Sequence, residues 1–260
     1  MLFINDIELI GDAIGSIPLM VELSQSECPL FVASKNTQIY DMIPSHLGIK
    51  TVFDMHLIDM FLGSVRKTNL PEAFKFGDKL HMTQAHFAQF GLPVPEKPIA
   101  PELDLGPEPD DFREQCPCDF LIAPFSRSLP IEELWPLQNY HELAFRLDKS
   151  FAALGSYKYP NENISMFKVK YQGNSWIRDF YDHPLKTVGH AMKKARYGLI
   201  SVVTGPSHLA HALNVPNIQF TVQGPWGENP DAVHIRPETN DIRDVTVDEV
   251  EAVVRQRFNL

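Results

Sequence analysis

Cysteine is scarce in this chain of 260 residues, which contains only Cys28, Cys116 and Cys118. Three cysteines do not form an even disulfide framework, and the C-P-C spacing of the last two is not a metal-ligand spacing. Long apolar runs are also missing, since none approaches the ~20 residues that a membrane-spanning helix needs. No basic region precedes the first apolar stretch, so no signal peptide is expected. These absences predict a cytoplasmic protein of a reducing compartment.

Positive charge is in deficit, because Lys and Arg number 23 against 33 Asp and Glu, which gives a formal net charge of −10. An acidic surface repels the phosphate backbone of nucleic acids and anionic lipid. The balance therefore argues against broad nucleic-acid binding. A local basic cleft and peripheral contact with a membrane both remain compatible with it.

Several motifs of common enzyme classes are missing as well. The sequence contains no GxGxxG, P-loop, HExxH or CxxC pattern, and its aspartates form no DxD run. Dinucleotide oxidoreductases, P-loop kinases and the common zinc enzymes therefore lose support. We expect no metal site.

Short apolar runs alternate with helical patterns in two parts of the chain, which is typical of parallel α/β sheets. Between these parts, residues 91–110 carry six prolines and no periodicity, as an extended linker does. The sequence thus predicts an α/β protein of two domains, residues 1–107 and 118–260, with a linker at about 91–117. Ligands of open α/β sheets bind beyond the carboxyl ends of the strands, so we expect the site in a cleft between two facing domains.

The stretch VVTGPSHLAHAL, residues 202–213, indicates a buried strand that ends abruptly and continues as a helix. Its glycine allows close approach of the backbone, and its proline suits the first turn of a helix. Free N–H groups at the helix start, two hydroxyls and a histidine are typical of an anion site. The alternative is a tight turn with a capped surface histidine. The candidate donor-binding residues here are Thr204, Gly205, Pro206, Ser207 and His208.

The stretch LIGDAIGSIP places Gly11 and Asp12 after a strand predicted over residues 2–10 and before a helical pattern that begins at Ile14. A carboxylate there lies at the carboxyl edge of the strand, and the nearby helix dipole favours its ionised form. Asp12 is then a candidate general base toward a hydroxyl acceptor. The alternative is a helix N-cap, for which Asp is a favoured residue.

The stretch APFSRSLPIEELWPLQNYHELA, residues 123–144, indicates a strand that ends near Pro124 and continues as a polar loop. Ser126 and Arg127 lie in this loop, and Arg127 is the cation best placed for a diphosphate. The alternative is a solvated loop with Trp135 as a packing anchor, which is the interpretation we favour for Trp135.

Taken in order, these stretches resemble glycosyltransferase family 9, the ADP-heptose:lipopolysaccharide heptosyltransferases, over most of the chain. IGD follows the first strand, and FGLP precedes the proline-rich linker. APFS and WPLQNYHELAFRL are similar to the family's HPG and WP…F.EL…L segments. VVTGPSHLAHALNVP is similar to its DSGP.H.A.AL..P segment, and QGPW (223–226) to its FGP segment. The glycines of the first and last of these motifs, Gly11 and Gly224, are expected to shape loops.

This resemblance implies a GT-B fold, in which two Rossmann-like domains face a cleft. It implies that the N-terminal domain lies on the acceptor side and that the C-terminal domain holds the nucleotide-sugar. It also implies metal-independent, inverting transfer with Asp12 as the base. The nucleotide-sugar is a co-substrate, and no further cofactor is expected.

Several positions depart from the family pattern, among them Asp6 and Glu8, which stand where a basic residue is usual in the first strand. Glu133 stands where a lysine is usual before Trp-Pro, and Val203 stands where an aspartate precedes Ser/Thr-Gly-Pro. A missing lysine removes a charge that would stabilise the leaving diphosphate. Either Arg127 substitutes for that lysine, or the donor differs, or activity is reduced.

The function predicted from the sequence is a glycosyltransferase that moves a sugar from a nucleotide-sugar to a hydroxyl acceptor, such as a glycolipid or another glycan. One alternative is a degenerate, non-catalytic protein that binds a sugar-nucleotide or a partner, which Glu133 and Val203 motivate. Another is a glycosyltransferase that acts on modified bases in DNA, against which the net charge counts.

Overall fold

The computed structural model divides the chain into two compact units, which are residues 1–106 with 224–227, and residues 107–223 with 228–260. The short segment 224–227 therefore joins the first unit although its chain neighbours belong to the second. The structure describes residues 2–5, 9–26, 30–34, 37–52, 65–67, 73, 75–109, 112, 118–126, 129–156, 177–222 and 224–260.

The first unit contains a parallel sheet with the strand order β3-β2-β1-β4. Apolar and β-branched residues such as those of LFVAS in β2 favour the extended backbone. Its strands are β1 (Leu2–Asn5), β2 (Leu30–Ser34), β3 (Ile49–Val52) and β4 (Val65–Lys67). Its helices are α1 (Ile10–Ser26), α2 (Thr37–Tyr40) and α3 (Met82–Gln89).

Helix α1 begins earlier than the sequence predicts. The prediction of a strand through residue 10 is wrong at its end, because Ile10 is already helical. Ile10, Ile14 and Ile17 follow the i, i+4, i+7 spacing of one helix face, and this periodicity takes Ile10 into the helix. Asp12 therefore lies within the first turn of α1.

Helices α1 and α3 pack closely because α1 presents a glycine to α3. A Cβ added at Gly15 would lie 2.3 Å from the Sδ atom of Met82, so the buried Met82 side chain would have to shift to make room for it. The start of α3 is capped by His81, whose Nδ1 accepts the N–H of Thr83 at 3.2 Å. Gly91, with φ of 68°, follows the end of this helix.

The proline-rich stretch packs along the first unit over residues 91–106. The N–H of Asp104 donates to the carbonyl of Met42 at 2.6 Å, and the side-chain amide of Gln84 donates to the carbonyl of Pro95 at 2.8 Å. These bonds satisfy polar groups that an irregular segment leaves without secondary-structure partners.

The second unit contains a parallel sheet of six strands with the order β10-β9-β8-β5-β6-β7. Its strands are β5 (Phe120–Ala123), β6 (Phe151–Gly155), β7 (Ile177–Tyr181), β8 (Gly198–Ser201), β9 (Asn217–Phe220) and β10 (Val233–Ile235). Its helices are α4 (Leu137–Leu147), α5 (Leu185–Lys194), α6 (Gly205–Ala212) and α7 (Val247–Phe258).

An aromatic cluster fills the core of the second unit. Trp135 is buried, packs against Tyr140 and Phe220, and donates its indole N–H to the carbonyl of Val245 at 2.8 Å. The interpretation of Trp135 as a packing anchor is confirmed.

Candidate functional site

The start of α1 lies where the strand order of the first sheet reverses. The chain lays β2 and β3 on one side of β1 and then β4 on the other side. Crevices at such reversals, beyond the carboxyl ends of the strands, are where open α/β sheets bind ligands. Helix α1 follows β1 directly, so Gly11 and Asp12 in its first turn lie at this edge.

Asp12 is almost completely buried, with 7% of its surface exposed. Burial raises the pKa of its carboxyl group from 3.8 to about 6, while hydrogen bonds from the side chain of Trp226 and from its own amide act in the opposite direction. Desolvation penalises the charged form, and donors to a carboxylate favour that form. A carboxylate of this pKa is mostly ionised at pH 7 and accepts a proton readily, as a general base must.

Trp226 lies on the short 3-10 turn Pro225–Gly227, in the segment that joins the first unit. Indole has a single N–H and no acceptor, so its influence on Asp12, which lowers the pKa of the carboxyl group, is that of a donor toward the carboxylate. Sequence reasoning noted QGPW as a family-like segment but missed this side chain. The available signal was an indole donor, which requires a partner wherever it is partly buried.

The ring of His86 on α3 lies near the ring of Trp226. The two ring centroids are 6.3 Å apart at an interplanar angle of 58°. Burial lowers the pKa of His86 to about 4, which the nearby side chain of Gln89 only partly opposes. His86 is therefore neutral at pH 7 and adds no charge beside the indole. No pattern in the sequence singles out His86.

The two glycines expected to shape loops lie in different surroundings. Gly11 is buried as the second residue of α1. Gly224 is exposed, and a Cβ added there would make ordinary contacts with the carbonyls of Asp78 and Gly77, at 3.8 and 3.9 Å. The loop-shaping roles stay predictions.

The second sheet has its own reversal between β5 and β8. From β5 the chain builds β6 and β7 on one side and then returns to β8, β9 and β10 on the other, which is the strand order of a full Rossmann sheet. The N–H of Val202 donates to the carbonyl of Ala123 at 3.2 Å, so the two strands remain paired just past their ends. The loop with Ser126 and the turn at Thr204 therefore leave the same edge of the sheet from neighbouring strands.

Helix α6 begins at Gly205, with Thr204 in an extended conformation before it. The hydroxyl of Ser207 accepts the N–H of Thr204 at 3.2 Å and donates to the carbonyl of Thr204 at 2.6 Å. Ser207 and His208 are buried, whereas Thr204, Gly205 and Pro206 are half-buried and form the more accessible part of the helix start. This helix has eight residues.

The loop that contains Asn229 and Asp231 forms hydrogen bonds with helix α6. The side-chain amide of Asn229 donates to the carbonyl of Ser207 at 3.4 Å, and its backbone N–H donates to Oε1 of Gln219 at 2.8 Å. Further along the helix, Nδ1 of His211 pairs with a carboxylate oxygen of Asp231 at 2.8 Å. None of these residues was singled out from the sequence, because the contacts join segments distant in the chain.

The remaining predicted residues are distributed as follows. Ser126 is buried after β5, and Arg127 lies outside the described residues. Glu133 is exposed on the 3-10 turn Ile131–Glu133, and Val203 is half-buried between β8 and α6. The donor-binding roles stay predictions.

Two other features, a metal centre and a membrane-spanning helix, are not found among the described residues. Within these ranges, no group of three or more His, Cys, Asp or Glu side chains is arranged to hold a metal ion. None of the helices that the structure describes has both the length and the apolar character needed to cross a bilayer.

Two parallel sheets, each with a candidate site at its strand-order reversal, define an α/β protein of two Rossmann-like units, the GT-B class. Solved structures of this class are similar to the chain. The iron-containing dodecameric glycosyltransferase TibC of enterotoxigenic E. coli matches with a TM-score of 0.75 and 15% identity, over 99% of this chain and 76% of that one. A family 9 glycosyltransferase of Veillonella parvula matches with a TM-score of 0.67 and 13% identity, over 98% and 95%.

The heptosyltransferase WaaC of E. coli, solved with ADP-2-deoxy-2-fluoro heptose, matches with a TM-score of 0.60 and 14% identity, over 98% of this chain and 99% of that one. No protein-family model matches the chain, and no curated protein matches it in sequence. The likeness confirms the expected fold class and the resemblance to heptosyltransferases at the level of the fold.

Proposed function

We propose that the protein is a glycosyltransferase that moves a sugar from a nucleotide-sugar to a hydroxyl acceptor, with Asp12 as the general base. The observation that carries this proposal is a buried carboxyl group at the strand-order reversal of the first sheet, whose pKa burial raises to about 6. The fold shared with heptosyltransferases supports the same reaction class.

In the proposed reaction, Asp12 takes the proton of the acceptor hydroxyl while that oxygen attacks the anomeric carbon of the donor. The bond between this carbon and the nucleotide diphosphate breaks, and the diphosphate leaves with the electron pair. A single displacement of this kind inverts the configuration at the anomeric carbon. We place the acceptor at the first unit because Asp12 lies there.

We place the donor's diphosphate at the edge of the second sheet, beside the loop with Ser126 and the start of α6. The positive end of a helix dipole favours an anion. Thr204, Gly205 and Pro206 are accessible at this edge, and Arg127 is proposed to supply positive charge. Ser207 and His208 are proposed to shape the site from its buried side.

ADP-heptose is the first donor to test, because structures similar to this chain were solved with it or with its fluorinated analogue. A glycan or glycolipid acceptor and a cytoplasmic location belong to the same proposal. The reaction as proposed uses no metal, whereas TibC contains iron. We therefore expect transfer to survive treatment with a chelator, and loss of transfer that added iron restores would overturn this part.

The test is calorimetry of the whole chain with a panel of nucleotide-sugars, followed by transfer and hydrolysis assays with every donor that binds. We expect the Asp12→Asn variant to bind the donor as the wild type does and to lose turnover by a factor of about 10² to 10⁴. Unchanged turnover would remove Asp12 from the mechanism. Binding without any turnover in the wild type would favour the non-catalytic alternative.

A further inference from the structure

Helix α6 has only about two turns, and the loop of residues 229–231 contacts both of them. Nδ2 of Asn229 donates to the carbonyl of Ser207 at 3.4 Å, and Nδ1 of His211 lies 2.8 Å from a carboxylate oxygen of Asp231. A carboxylate only accepts, so Nδ1 of His211 carries the proton of this bond. Ser207 and His211 are four residues apart and share one face of the helix. The 229–231 loop therefore holds this short helix at two points along its axis.

The 229–231 loop is itself fixed to the second sheet. The backbone N–H of Asn229 donates to Oε1 of Gln219 at 2.8 Å, and Oδ1 of Asn229 accepts the N–H of Asp231 at 2.9 Å. Asn229 and Gln219 are both buried, and Gln219 lies on β9, which pairs with β8, the strand that leads to α6. Moving the loop would break hydrogen bonds of buried groups, which is costly. The loop is thus a rigid support for α6.

The direction of α6 determines where its first turn lies. The hydroxyl of Ser207 accepts the N–H of Thr204 at 3.2 Å and donates to the carbonyl of Thr204 at 2.6 Å, and the same carbonyl accepts the N–H of Ser207 at 3.0 Å. Because these bonds join Ser207 to Thr204, a tilt of the helix moves Thr204 with it. The direction of the axis also sets where the positive end of the helix dipole points.

We infer that Asn229 and Asp231 are positioning residues, which set the direction of α6 relative to the diphosphate of the donor. This inference rests on the donor placement proposed above. Neither side chain is proposed to touch the donor. The carboxylate of Asp231 acts through His211, and the amide of Asn229 acts through the carbonyl of Ser207.

The first test is calorimetry of the Asp231→Ala variant of the whole chain. The probe is ADP-heptose, or the nucleotide-sugar of the panel that the wild type binds most tightly. Loss of the negative charge would by itself strengthen the binding of an anion, whereas loss of positioning weakens it, so the two effects have opposite signs. We expect the Kd of the donor to rise about three- to tenfold. The side chain of Asp231 is 68% exposed, so its removal leaves no cavity in the core.

The matched control is Glu108→Ala, which removes the same charge and breaks an ion pair of the same unit, between Glu108 and Lys194 at 2.9 Å. Lys194 ends α5 shortly before β8 begins, so this pair lies toward the amino edge of the sheet, opposite the proposed donor site. We expect the control to bind the donor as the wild type does. In turnover assays, Asp231→Ala should raise the KM for the donor and keep kcat, whereas a variant that is merely less well folded loses kcat and keeps KM.

The second test measures hydrogen exchange at the backbone N–H groups of Thr204, Ser207 and His208 by NMR, without any donor. We expect faster exchange in Asp231→Ala and in Asn229→Ser, and no change in the Glu108→Ala control. Serine at position 229 still offers a short acceptor to the N–H of Asp231, but its side chain is too short to reach the carbonyl of Ser207.

The double variant Asn229→Ser/Asp231→Ala tests whether the two contacts act together. A short helix held at one point is already able to tilt, so losing the second contact adds little. We expect the Kd of the donor to rise in the double variant by less than the product of the two single rises. A rise equal to that product would overturn the two-point hold.

The outcomes separate this inference from the proposed function. A Kd that does not rise in Asp231→Ala, or exchange that does not change there, overturns the positioning role and leaves the proposed function standing. A wild type that binds neither ADP-heptose nor any other nucleotide-sugar overturns the donor placement, and the positioning inference with it. If Asn229→Ser does not fold, Asp231→Ala decides alone through the same two measurements.

Discussion

The carboxylate of Asp12 and the indole of Trp226 are 214 positions apart in the sequence, yet both belong to one compact unit and the indole lowers the pKa of the carboxyl group. The carboxylate belongs to the first turn of a helix, and the indole to a short turn that the chain reaches only after most of the second unit. Burial raises the pKa of this carboxyl group, and the indole partly counteracts that rise. The pair therefore couples the stability of the fold to the charge of the proposed base.

Asp12 makes the stability of the protein depend on pH. Its pKa rises from 3.8 to about 6 on folding, so between these values the folded chain holds a proton that the unfolded chain has released. This contribution to stability is present below pH 3.8 and is lost as the pH rises through 6. The loss is on the order of 3 kcal/mol at pH 7.

We therefore expect Asp12→Asn to be more stable than the wild type at pH 7, with the difference shrinking toward pH 4. Urea unfolding at a series of pH values measures this difference. A difference between the two proteins that is constant from pH 4 to pH 7 would contradict the raised pKa.

His86 changes the stability of the folded protein in the opposite direction over nearly the same pH range. Its pKa falls from 6.5 to about 4 on folding, so the unfolded chain takes up a proton first as the pH falls. Through this residue, the unfolding free energy of the wild type falls by on the order of 3 kcal/mol as the pH is lowered from 6.5 to 4. We expect His86→Gln to lack this loss, measured as the pH dependence of its unfolding free energy against the wild type. A loss of equal size in both proteins would show that folding does not lower the pKa of His86.

Gly15 is required for the close packing of α1 on α3. Alanine in a helix is ordinarily favoured over glycine by about 1 kcal/mol, but here the added Cβ would meet the Sδ atom of Met82 at 2.3 Å. We expect Gly15→Ala to destabilise the protein by about 1–3 kcal/mol, as overpacked cores are. The double variant Gly15→Ala/Met82→Ala removes the clashing atoms. A double variant no less destabilised than the sum of the two single variants would show that this contact is not the cause.

Gly198 opens β8, the strand that leads to the predicted donor site. It has φ of 129°, and a Cβ added there would lie 2.2 Å from the carbonyl oxygen of Pro216. That oxygen is fixed because it accepts the N–H of Leu199 at 2.9 Å. We expect Gly198→Ala to cost more than about 3 kcal/mol in unfolding free energy, since both the backbone and the contact are unfavourable.

Gly48→Ala is the matched control for this variant. Gly48 also has positive φ, 71°, but nothing lies within 4 Å of its added Cβ. Only backbone strain remains, which costs about 1–2 kcal/mol. Equal losses in the two variants would show that the Pro216 carbonyl moves away without cost.

Much of the fold follows from local patterns that the sequence displays. The alternation of apolar runs and helices predicts parallel sheets. Thr246 followed three residues later by Glu249 is the sequence pattern of a capping box, and at the start of α7 the N–H of Glu249 donates to the hydroxyl of Thr246 at 3.2 Å. The position of Asp12 at the carboxyl edge of the first strand also follows from the order of strand, glycine and carboxylate.

The surroundings of the candidate base could not be predicted in the same way. Trp226 and His86 reach Asp12 or its neighbour through the tertiary fold, and no periodicity or spacing relates residues so far apart. The hydrogen bonds of Asn229 with Gln219 and Ser207 likewise join residues that no local sequence pattern relates. The early start of α1 was missed for a different reason, because Ile10 satisfies the apolar pattern of a strand end and of a helix face equally well.

The membership of residues 224–227 in the first unit has a consequence for anyone who recombines this protein with a relative. A chimaera joined after residue 106 takes its carboxylate at position 12 from one parent and its side chain at position 226 from the other. Such hybrids inherit a mismatched pair unless the four-residue turn is transplanted together with the N-terminal half.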